Sequence, residues 1–332
     1  MDDVRYISAD FNSRIRKSAL APGDVVTVRT GKPGATAVIP DWIPSANCSD
    51  LVITRPGPNL DPRWLSYYIN GVAGGYVASR LVGAVQQHFN VGAAKEIRLS
   101  LPPLREQRGI GLTLGVLDDK IASNSRAIRN LEQIAHAVFE STFLSERGPN
   151  RHLLGEYCTF VKGKTPRGVL NEPTDGYLPY LTIDALTSGT SSYALVEKAV
   201  ISGSSDILMV MDGASSGAVY PGQVGVVAST FARVDISNPP MRDIIFRALK
   251  YYGQEISRHN TGSAIPHTDK AAVLGLEISI PDEIDAFAGL FAAIHGRVAA
   301  LFSESARLES LRDALLPELL SGRIRVPEAD EA

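Results

Sequence analysis

The stretch from Phe160 to Gly168, FVKGKTPRG, is the part of the chain most suggestive of chemistry, because Gly-Lys-Thr resembles the end of a phosphate-binding loop. Such a loop needs the pattern G-x-x-x-x-G-K-[ST], in which backbone N–H groups surround phosphates at the start of a helix. Cys158 stands where the first glycine is required, and Pro166 disfavours helical geometry in the residue before it. The stretch therefore predicts a Gly/Pro-rich loop after a short strand from Tyr157 to Val161, and not a nucleotide site.

Other motifs that could support catalysis are equally incomplete. The run Asn238-Pro239-Pro240-Met241 resembles the N-P-P-aromatic motif that holds a flipped base, but Met241 has no ring to stack on a base. The six histidines show no paired spacing for a metal, and no G-x-S-x-G nucleophile motif occurs. These observations favour a protein without a catalytic or metal site.

Length and composition restrict the class further. A chain of 332 residues suggests at least two domains, and an apolar share of 44% is ordinary for a soluble protein. The start of the chain lacks the pattern of a secretory signal, and no uninterrupted apolar run is long enough to cross a membrane. We therefore expect a cytoplasmic protein without a membrane partner. The net charge is −3, and a chain that bound DNA would rely on a partner for part of its positive charge.

The chain repeats its own pattern, and the matched segments keep the same order. The paired segments are Leu131–Leu144 with Leu308–Ser321, Leu101–Pro103 with Ile280–Asp282, Gly83–Asn90 with Gly262–Asp269, and Gly23–Val38 with Ser205–Tyr220. Members of a pair lie between 177 and 182 residues apart, which indicates a tandem duplication. Each copy is a mixed strand-and-turn domain followed by a long helix.

Both predicted helices carry an apolar stripe of heptad type. The first stripe includes Leu114, Leu117, Ile121 and Ile128, with Asn124 at one core position. In the second helix Ser305 occupies a similar polar position, and Gly322 marks the helix end. We favour antiparallel pairing of the two helices, with the two polar residues fixing the register, over separate packing of each helix on its own domain with these residues solvated.

These motifs together resemble the specificity subunit of a type I restriction–modification system. The resemblance rests on LPPLREQ (Leu101–Gln107), LDDKIASN (Leu117–Asn124), LEQIAHAVFESTF and LRDALLPELLSGRIRV (Leu311–Val326). The GKTP loop (Gly163–Pro166) and SDILMVMDGASSG (Ser205–Gly217) are similar to parts of that family's target-recognition domains. The resemblance covers nearly the whole chain.

The resemblance implies an α+β fold in which two mixed α/β target-recognition domains are separated by two long helices that pair as an antiparallel coiled coil. It divides the chain into target-recognition domain 1 (1–103), a first spacer helix (104–148), target-recognition domain 2 (149–281), a second spacer helix (282–325) and an acidic tail (326–332). The first domain has no counterpart of the GKTP loop and its strand, so we expect it to be incomplete at its N-terminus.

The function implied by the resemblance is reading of a bipartite target in double-stranded DNA by a subunit that is not itself an enzyme. Two methyltransferase subunits and a restriction/translocase subunit are the implied partners. S-adenosylmethionine and ATP would be bound by those partners, and no cofactor or metal is expected in this chain. The alternatives are a scaffold for two protein partners without DNA reading and, with less support, a DNA methyltransferase.

The candidate DNA contacts are polar residues in matched loops. In the first domain they are Arg29, Lys32, Gln86, Gln87, His88 and Asn90; in the second they are Lys162, Lys164, Thr165, Arg167, Ser263, His267, Thr268 and Lys270. Lysine and arginine suit phosphate contacts, and glutamine and asparagine can pair with adenine in the major groove. Solvated turns, or histidines that satisfy buried backbone groups, remain the alternative. The candidate partner contacts on the helices are Arg105, Gln107, Lys120 and Phe139.

Overall fold

The computed structural model describes residues 5–43, 45–72, 76, 79, 89–144, 150–189, 192–262 and 266–326. The α-helices of this part are α1 (Ala9–Arg14), α2 (Pro62–Gly71), α3 (Val91–Lys95), α4 (Leu104–Phe143), α5 (Ile183–Ser188), α6 (Arg242–Tyr251), α7 (Gly253–Arg258), α8 (Lys270–Leu274) and α9 (Ile284–Leu320). The strands are β1 (Ala19–Leu20), β2 (Val25–Val28), β3 (Thr36–Val38), β4 (Ala46–Asn47), β5 (Leu51–Thr54), β6 (Arg151–Leu153), β7 (Cys158–Lys162), β8 (Val169–Leu170), β9 (Tyr177–Leu181), β10 (Tyr193–Leu195), β11 (Ile201–Ser202), β12 (Ile207–Val210), β13 (Val219–Pro221), β14 (Gly225–Val227), β15 (Phe231–Ile236) and β16 (Glu277–Ser279).

The chain forms two compact units. Unit 1 comprises Met1–Ser125 and Phe302–Ala332, and unit 2 comprises Arg126–Leu301. The long helices α4 and α9 therefore each contribute one part to unit 1 and the other part to unit 2. Both units mix strands and helices, so the predicted α+β class and the two long helices are confirmed.

Each unit contains an antiparallel sheet with the same central strand arrangement. In unit 1 the strand order is β3-β2-β5, and in unit 2 it is β13-β12-β15-β7. Unit 2 also has a five-stranded sheet, β11-β14-β9-β10-β8, in which β14 and β9 run parallel. Two-stranded pairs, β1 with β4 and β16 with β6, complete the described sheets.

The registers of the two central sheets agree residue by residue. Val25 lies opposite Val38 and Thr54 in unit 1, as Ile207 lies opposite Pro221 and Val234 in unit 2. The agreement continues along both ladders. The predicted duplication is therefore present in the backbone pairing as well as in the sequence.

A small turn before the central strand is also duplicated. The Asp24 carboxylate accepts a hydrogen bond from Ala21 N at 2.9 Å, and the Asp206 carboxylate accepts one from Gly203 N at 2.8 Å. In both cases the aspartate N–H donates back to the carbonyl three residues earlier. The two aspartates matched in the sequence therefore have the same local task, which is to fix the entry to the strand.

The buried core of each unit includes its part of the long helices. In unit 1, Trp64 and Leu65 of α2 pack with Ile110 and Leu114 of α4 and with Leu319 of α9. In unit 2 the larger core combines α4, α6, α9 and the inner face of the β12 sheet. The central sheet of each unit buries one face against helices, and removal of that apolar surface from water stabilises both units.

Glycines in the first turns of α4 allow this packing. A Cβ atom on Gly111 would stand 3.1 Å from Arg63 Cβ, and one on Gly109 would stand 3.3 Å from Val326 Cγ1. Glycine normally weakens a helix interior, but here it permits close approach of neighbouring side chains.

The long helices pair in an antiparallel sense within each unit. In unit 1, Asp118 bonds Arg312 at 2.8 Å, and Asn124, further along α4, bonds Glu304, which comes earlier in α9. In unit 2 the ring of Phe143, at the end of α4, lies 5.6 Å from that of Phe287 near the start of α9. The predicted antiparallel pairing is confirmed for both parts.

The two polar residues predicted to fix the register of the helices lie together at their interface. Asn124 is only 2% exposed, and its Nδ2 donates to Glu304 Oε2 at 2.9 Å and to Ser305 Oγ at 3.3 Å. A buried amide that finds partners at a single position disfavours shifted pairings, because a shift would leave it unsatisfied. Asn124 and Ser305 therefore specify the register of the pair in unit 1.

Replacing Asn124 with alanine is expected to lower the free energy of unfolding by about 1–2 kcal/mol, since its hydrogen bonds to Glu304 and Ser305 are lost. Chemical denaturation monitored by circular dichroism measures the change. Ser125→Ala is the matched control, because the Ser125 hydroxyl bonds only the Ile121 carbonyl of its own helix. Equal effects of the two substitutions would show that Asn124 has no special role in the pairing.

Helix α9 is the one helix in the described part of the chain that is long and apolar enough to cross a membrane by length and composition alone. Phe291 and Leu301 of this helix are buried against the rest of the protein. Core helices of soluble proteins pass the same test, so the finding is weak evidence for a membrane span.

Candidate nucleic-acid interface

The GKTP loop follows β7 directly and depends on its glycine. Gly163 N donates to Phe231 O at 2.8 Å, which continues the β7–β15 pairing by one residue. A Cβ atom at this position would stand 2.1 Å from Ala228 O and 2.5 Å from Val227 O. No side chain fits there, so Gly163 is required for packing against the backbone and not for binding phosphate.

A cluster of three charged or titratable side chains lies at the end of β7, beside the residues that follow β12. Lys162 Nζ lies 2.8 Å from one oxygen of Asp212, and His267 Nδ1 lies 2.7 Å from the other. The Asp212 side chain is 20% exposed, whereas Lys162 and His267 are about half exposed. The structure thus brings together two predicted DNA contacts that are far apart in the sequence.

Asp212 holds this cluster in place as a carboxylate. Burial raises the pKa of Asp212, but the hydrogen bonds and charges of Lys162 and His267 outweigh burial and hold the pKa below its ordinary value. The ionised carboxylate accepts from the imidazole Nδ1, which leaves Nε2 as the ring nitrogen that can face a ligand. Sequence reasoning did not select Asp212, because an acidic group is not itself a phosphate contact.

The remaining residues of the loop are exposed. Lys164, Thr165 and Arg167 line a shallow depression together with Glu197 and Lys198. Arg167 Nη1 lies 3.4 Å from Glu197 Oε1, and both side chains are mostly exposed. Such a pair contributes little to stability, so the guanidinium can exchange its partner for a phosphate at small cost.

Two of the predicted DNA contacts make hydrogen bonds within the fold. Thr268 is 7% exposed, its hydroxyl donates to Val210 O at 2.9 Å, and its N–H donates to Met211 O. We therefore exclude Thr268 from the DNA surface. Asn90 is exposed but caps α3 through Ala93 N at 2.9 Å, as the matched Asp269 caps α8. Capping employs the Asn90 carboxamide oxygen.

Three other candidates in matched loops lie in the described part of the chain and differ in exposure. Lys270 is exposed in the first turn of α8, and Lys32 is exposed in the turn between β2 and β3. Arg29 is only partly exposed, and its Nε lies 4.0 Å from Asp50 Oδ1. Gln86, Gln87, His88 and Ser263 lie outside the described residues.

Two candidate partner contacts on the helices are buried, which corrects the prediction for them. Gln107 is 1% exposed; it accepts from Asp61 N and donates to Asn59 O and Pro102 O. Phe139 is also 1% exposed and stacks on Phe143 in the core of unit 2. Neither side chain can contact a partner while its unit is folded.

The other two candidates remain accessible. Arg105 is exposed, and Lys120 is about half exposed with its Nζ 3.3 Å from Glu304 Oε2. Among the described residues, no group of three or more His, Cys, Asp or Glu side chains could hold a metal ion.

The fold defines a class of duplicated protein with two α/β units and two long helices that pair antiparallel. A solved type I restriction–modification S subunit from M. genitalium shares this fold, with a TM-score of 0.62, 17% identity, and coverage of 93% of this chain and 84% of that one. An HsdS subunit from Thermoanaerobacter tengcongensis is also similar, with 19% identity, coverage of 92% and 82%, and a TM-score of 0.39. No protein-family model matches the chain.

A curated relative identified by sequence is also a type I specificity subunit. The type I restriction enzyme MjaVIII specificity subunit of Methanocaldococcus jannaschii is 30% identical over 131 residues, or 39% of this chain and 31% of the relative. The chain thus matches about a third of the length of that relative. The resemblance to type I specificity subunits is confirmed by this relative together with the shared fold.

Proposed function

We propose that this chain reads a bipartite sequence in double-stranded DNA as the specificity subunit of a type I restriction–modification complex. In this proposal it is not an enzyme and binds no cofactor. Two methyltransferase subunits, which use S-adenosylmethionine, and an ATP-dependent restriction/translocase subunit supply the chemistry. Such a complex acts on DNA in the cytoplasm.

The observation that carries the proposal is the duplication of a scaffold with unlike loops. The central sheets of the two units have the same register, yet the turn after the central strand reads RTGKPG in one and MDGASSG in the other. Equal scaffolds present different side chains at equivalent positions. This arrangement suits the reading of two different half-sequences, whereas a reader of palindromes would carry equal loops.

The chemistry of the unit 2 surface supports DNA as the ligand. Lys162, Lys164 and Arg167 provide positive charge on one loop, which suits phosphate oxygens. His267 is held by Asp212, so its Nε2 can accept a hydrogen bond from a base amino group when the ring is neutral. Exposed Arg105 and Lys120 on α4 remain the candidate contacts for partner subunits.

The salt dependence of DNA binding tests the proposal. Lys164→Gln and Arg167→Gln are each expected to weaken binding of the assembled complex and to reduce the slope of log K against log salt by about 0.9 for each phosphate that the variant no longer neutralises. Arg323→Gln is the matched control, because Arg323 is an exposed arginine paired with Glu318 in unit 1. Its slope should equal that of the unchanged protein.

The same measurement separates DNA reading from a scaffold function. A scaffold for two proteins would bind DNA equally at all salt concentrations and for all sequences, or not at all.

Exchange of residues 151–279 for the corresponding domain of another specificity subunit should alter one half of the methylated sequence. A change in both halves would contradict the modular reading.

A further inference from the structure

An open cleft of about 650 Å³ lies on the surface of unit 2, between the turn after β12 and helix α7. One wall is the turn from Ala214 to Ala218, and the other is formed by Gly253, Gln254, Ser257 and Arg258. Gln254 and Arg258 are exposed, and their spacing of four residues places them on the same face of α7. Neither was among the DNA contacts predicted from the sequence.

Helix α7 is fixed against this turn by packing and hydrogen bonding. Ile256 lies in the core of unit 2 and is 2% exposed. Gly217 has a φ of +93°, and a Cβ atom there would stand 2.9 Å from Ile256 Cγ2, so glycine permits the close approach of helix and turn. Ser216 O accepts from Asn260 Nδ2 at 3.3 Å. The exposed face of α7 is therefore held in a defined position.

The same turn adjoins the charged cluster held by Asp212. Asp212 stands directly before the turn and contacts His267. Within the turn, Ser216 Oγ donates to Pro266 O at 3.0 Å, and Gly213 N also donates to Pro266 O. The cleft and the cluster are thus neighbours along one turn of unit 2.

The repeat retains the residues that seat the helix and changes those on its exposed face. The offset of 179 residues that relates Gly83–Asn90 to Gly262–Asp269 can be extended towards the N-terminus. The agreeing pairs are Gly74 with Gly253, and Val77 with Ile256. The differing pairs are Gly75 with Gln254, and Ser79 with Arg258. Unequal side chains on equal anchors suit two domains that read different bases.

We propose that α7 reads bases directly in the half-site bound by unit 2, with Arg258 recognising guanine and Gln254 recognising adenine from the major groove. This inference rests on the proposed function and assigns bases within it. Arginine pairs bidentately with O6 and N7 of guanine, and glutamine with N6 and N7 of adenine. Four residues of helix span about 6 Å, close to two base steps of about 3.4 Å, so the two side chains reach nearby positions of one half-site.

The placement of Arg258 favours a base contact over a phosphate contact. A bidentate pair requires a guanidinium in a defined place, and a helix seated on the core provides one. Arg167, by contrast, lies on an exposed loop and pairs with Glu197, which suits a phosphate contact. The acidic residue of α7, Glu255, is not among the residues that line the cleft. Its charge therefore does not stand between Arg258 and a base.

The test uses the full chain assembled with methyltransferase subunits, supplied with S-adenosylmethionine and a plasmid library of random sequence. Sequencing of the methylated sites gives the preference at each position. Arg258→Gln should lower the preference for a G·C pair at one position of one half-site about tenfold or more. Gln254→Ala should lower the preference for an A·T pair, within about two positions of the first, by a similar factor. The other half-site should stay unchanged in both variants.

Arg151→Gln is the matched control, because Arg151 is an exposed arginine of unit 2 that pairs with Glu277. Its sequence preference should equal that of the unchanged protein. An unaltered preference in either test variant would overturn the assignment of that residue. An equal loss for all sequences in Arg258→Gln would make Arg258 a phosphate contact and would also reject base readout. A complex of the unchanged protein that prefers no sequence would instead reject the proposed function itself.

Discussion

Replacing Gly163 with alanine is expected to lower the free energy of unfolding of unit 2 by about 3 kcal/mol or more. The added methyl group would stand 2.1 Å from Ala228 O and 2.5 Å from Val227 O, and both are backbone atoms. A flexible side chain could move aside, but these carbonyls belong to β14 and the turn after it. The sheets must therefore separate locally, or the β7–β15 pairing must shorten.

Denaturant unfolding measures this loss of stability. It is followed by far-ultraviolet circular dichroism and by the near-ultraviolet circular dichroism of tyrosine and phenylalanine, because both tryptophans lie in unit 1. The matched control is Gly203→Ala, because the nearest atom to its Cβ would be Asp206 Oδ2 at 3.9 Å. We expect the control to stay within about 0.5 kcal/mol of the unchanged protein. Stability of the Gly163→Ala variant equal to that of the control would show that the loop is free to move and that its geometry is not fixed by the sheet.

The Gly163 result also bears on the proposed DNA binding. Lys162 lies immediately before the glycine and holds Asp212, which in turn holds His267. A shift of the loop would separate these side chains. We therefore expect the variant to lose DNA affinity even in conditions where it remains folded, because contact positions fixed by a rigid scaffold contribute more than mobile ones.

Replacing Glu132 with glutamine is expected to cost unit 2 about 2–3 kcal/mol. Glu132 Oε2 accepts from Arg247 Nη1 at 2.5 Å and from Lys250 Nζ at 3.0 Å. The Arg247 side chain is only 5% exposed, and removal of its counter-charge leaves a buried cation uncompensated. The value lies below that for a fully buried pair because Glu132 is 29% and Lys250 41% exposed.

The effect should depend on pH in a defined direction. Burial raises the pKa of Glu132, but Arg247 and Lys250 outweigh burial and hold the pKa below the ordinary value of 4.5. A carboxyl whose pKa is depressed by folding stabilises the folded state above its unfolded pKa, and this contribution is lost as the pH falls through its folded pKa. The difference between the unchanged protein and Glu132→Gln should thus be full at neutral pH and shrink below about pH 4.5.

Glu197→Gln is the control for this ion pair. Glu197 lies 3.4 Å from Arg167, and both side chains are more than half exposed, so its loss should cost less than about 0.5 kcal/mol at any pH. A Glu132→Gln variant that behaves like the control would show that Arg247 finds other partners. A destabilisation that increased on acidification would contradict the ionised state of Glu132.

Several features followed from the sequence because they depend on local chemistry or on repetition. The strand–turn–strand pattern of Gly23–Val38 and of Ser205–Tyr220 predicted β2 with β3 and β12 with β13. The failed phosphate-loop pattern at Gly163 indicated a loop after a strand. Pro239–Met241 forms a short 3₁₀ turn after Asn238 and before α6, with Met241 buried, as proline geometry implies. The antiparallel helix pairing, with Asn124 and Ser305 as polar core positions, followed from heptad spacing.

The burial of individual helix residues did not follow from the sequence. Gln107 and Phe139 were candidates for partner contacts because they lie in characteristic motifs, but a motif does not show which helix face meets the domain. Gln107 instead bonds the backbone of the loop before α2, and Phe139 fills the core of unit 2. Within each unit, the parts of α4 and α9 pack on that unit's other elements as well as on each other, so their apolar stripes are wider than a coiled-coil seam.

The sequence by itself determined the duplication, the two long helices and the type I specificity-subunit resemblance, because strand periodicity, heptad spacing and turn residues are encoded locally. Only the tertiary structure decided which matched-loop residues are available to a ligand. The Thr268 hydroxyl donates a hydrogen bond to a buried backbone carbonyl, whereas the neighbouring His267 is held at the surface by Asp212. Asp212 and His267 are 55 positions apart, and only folding of β12 against the later loop brings an acid, a lysine and a histidine together.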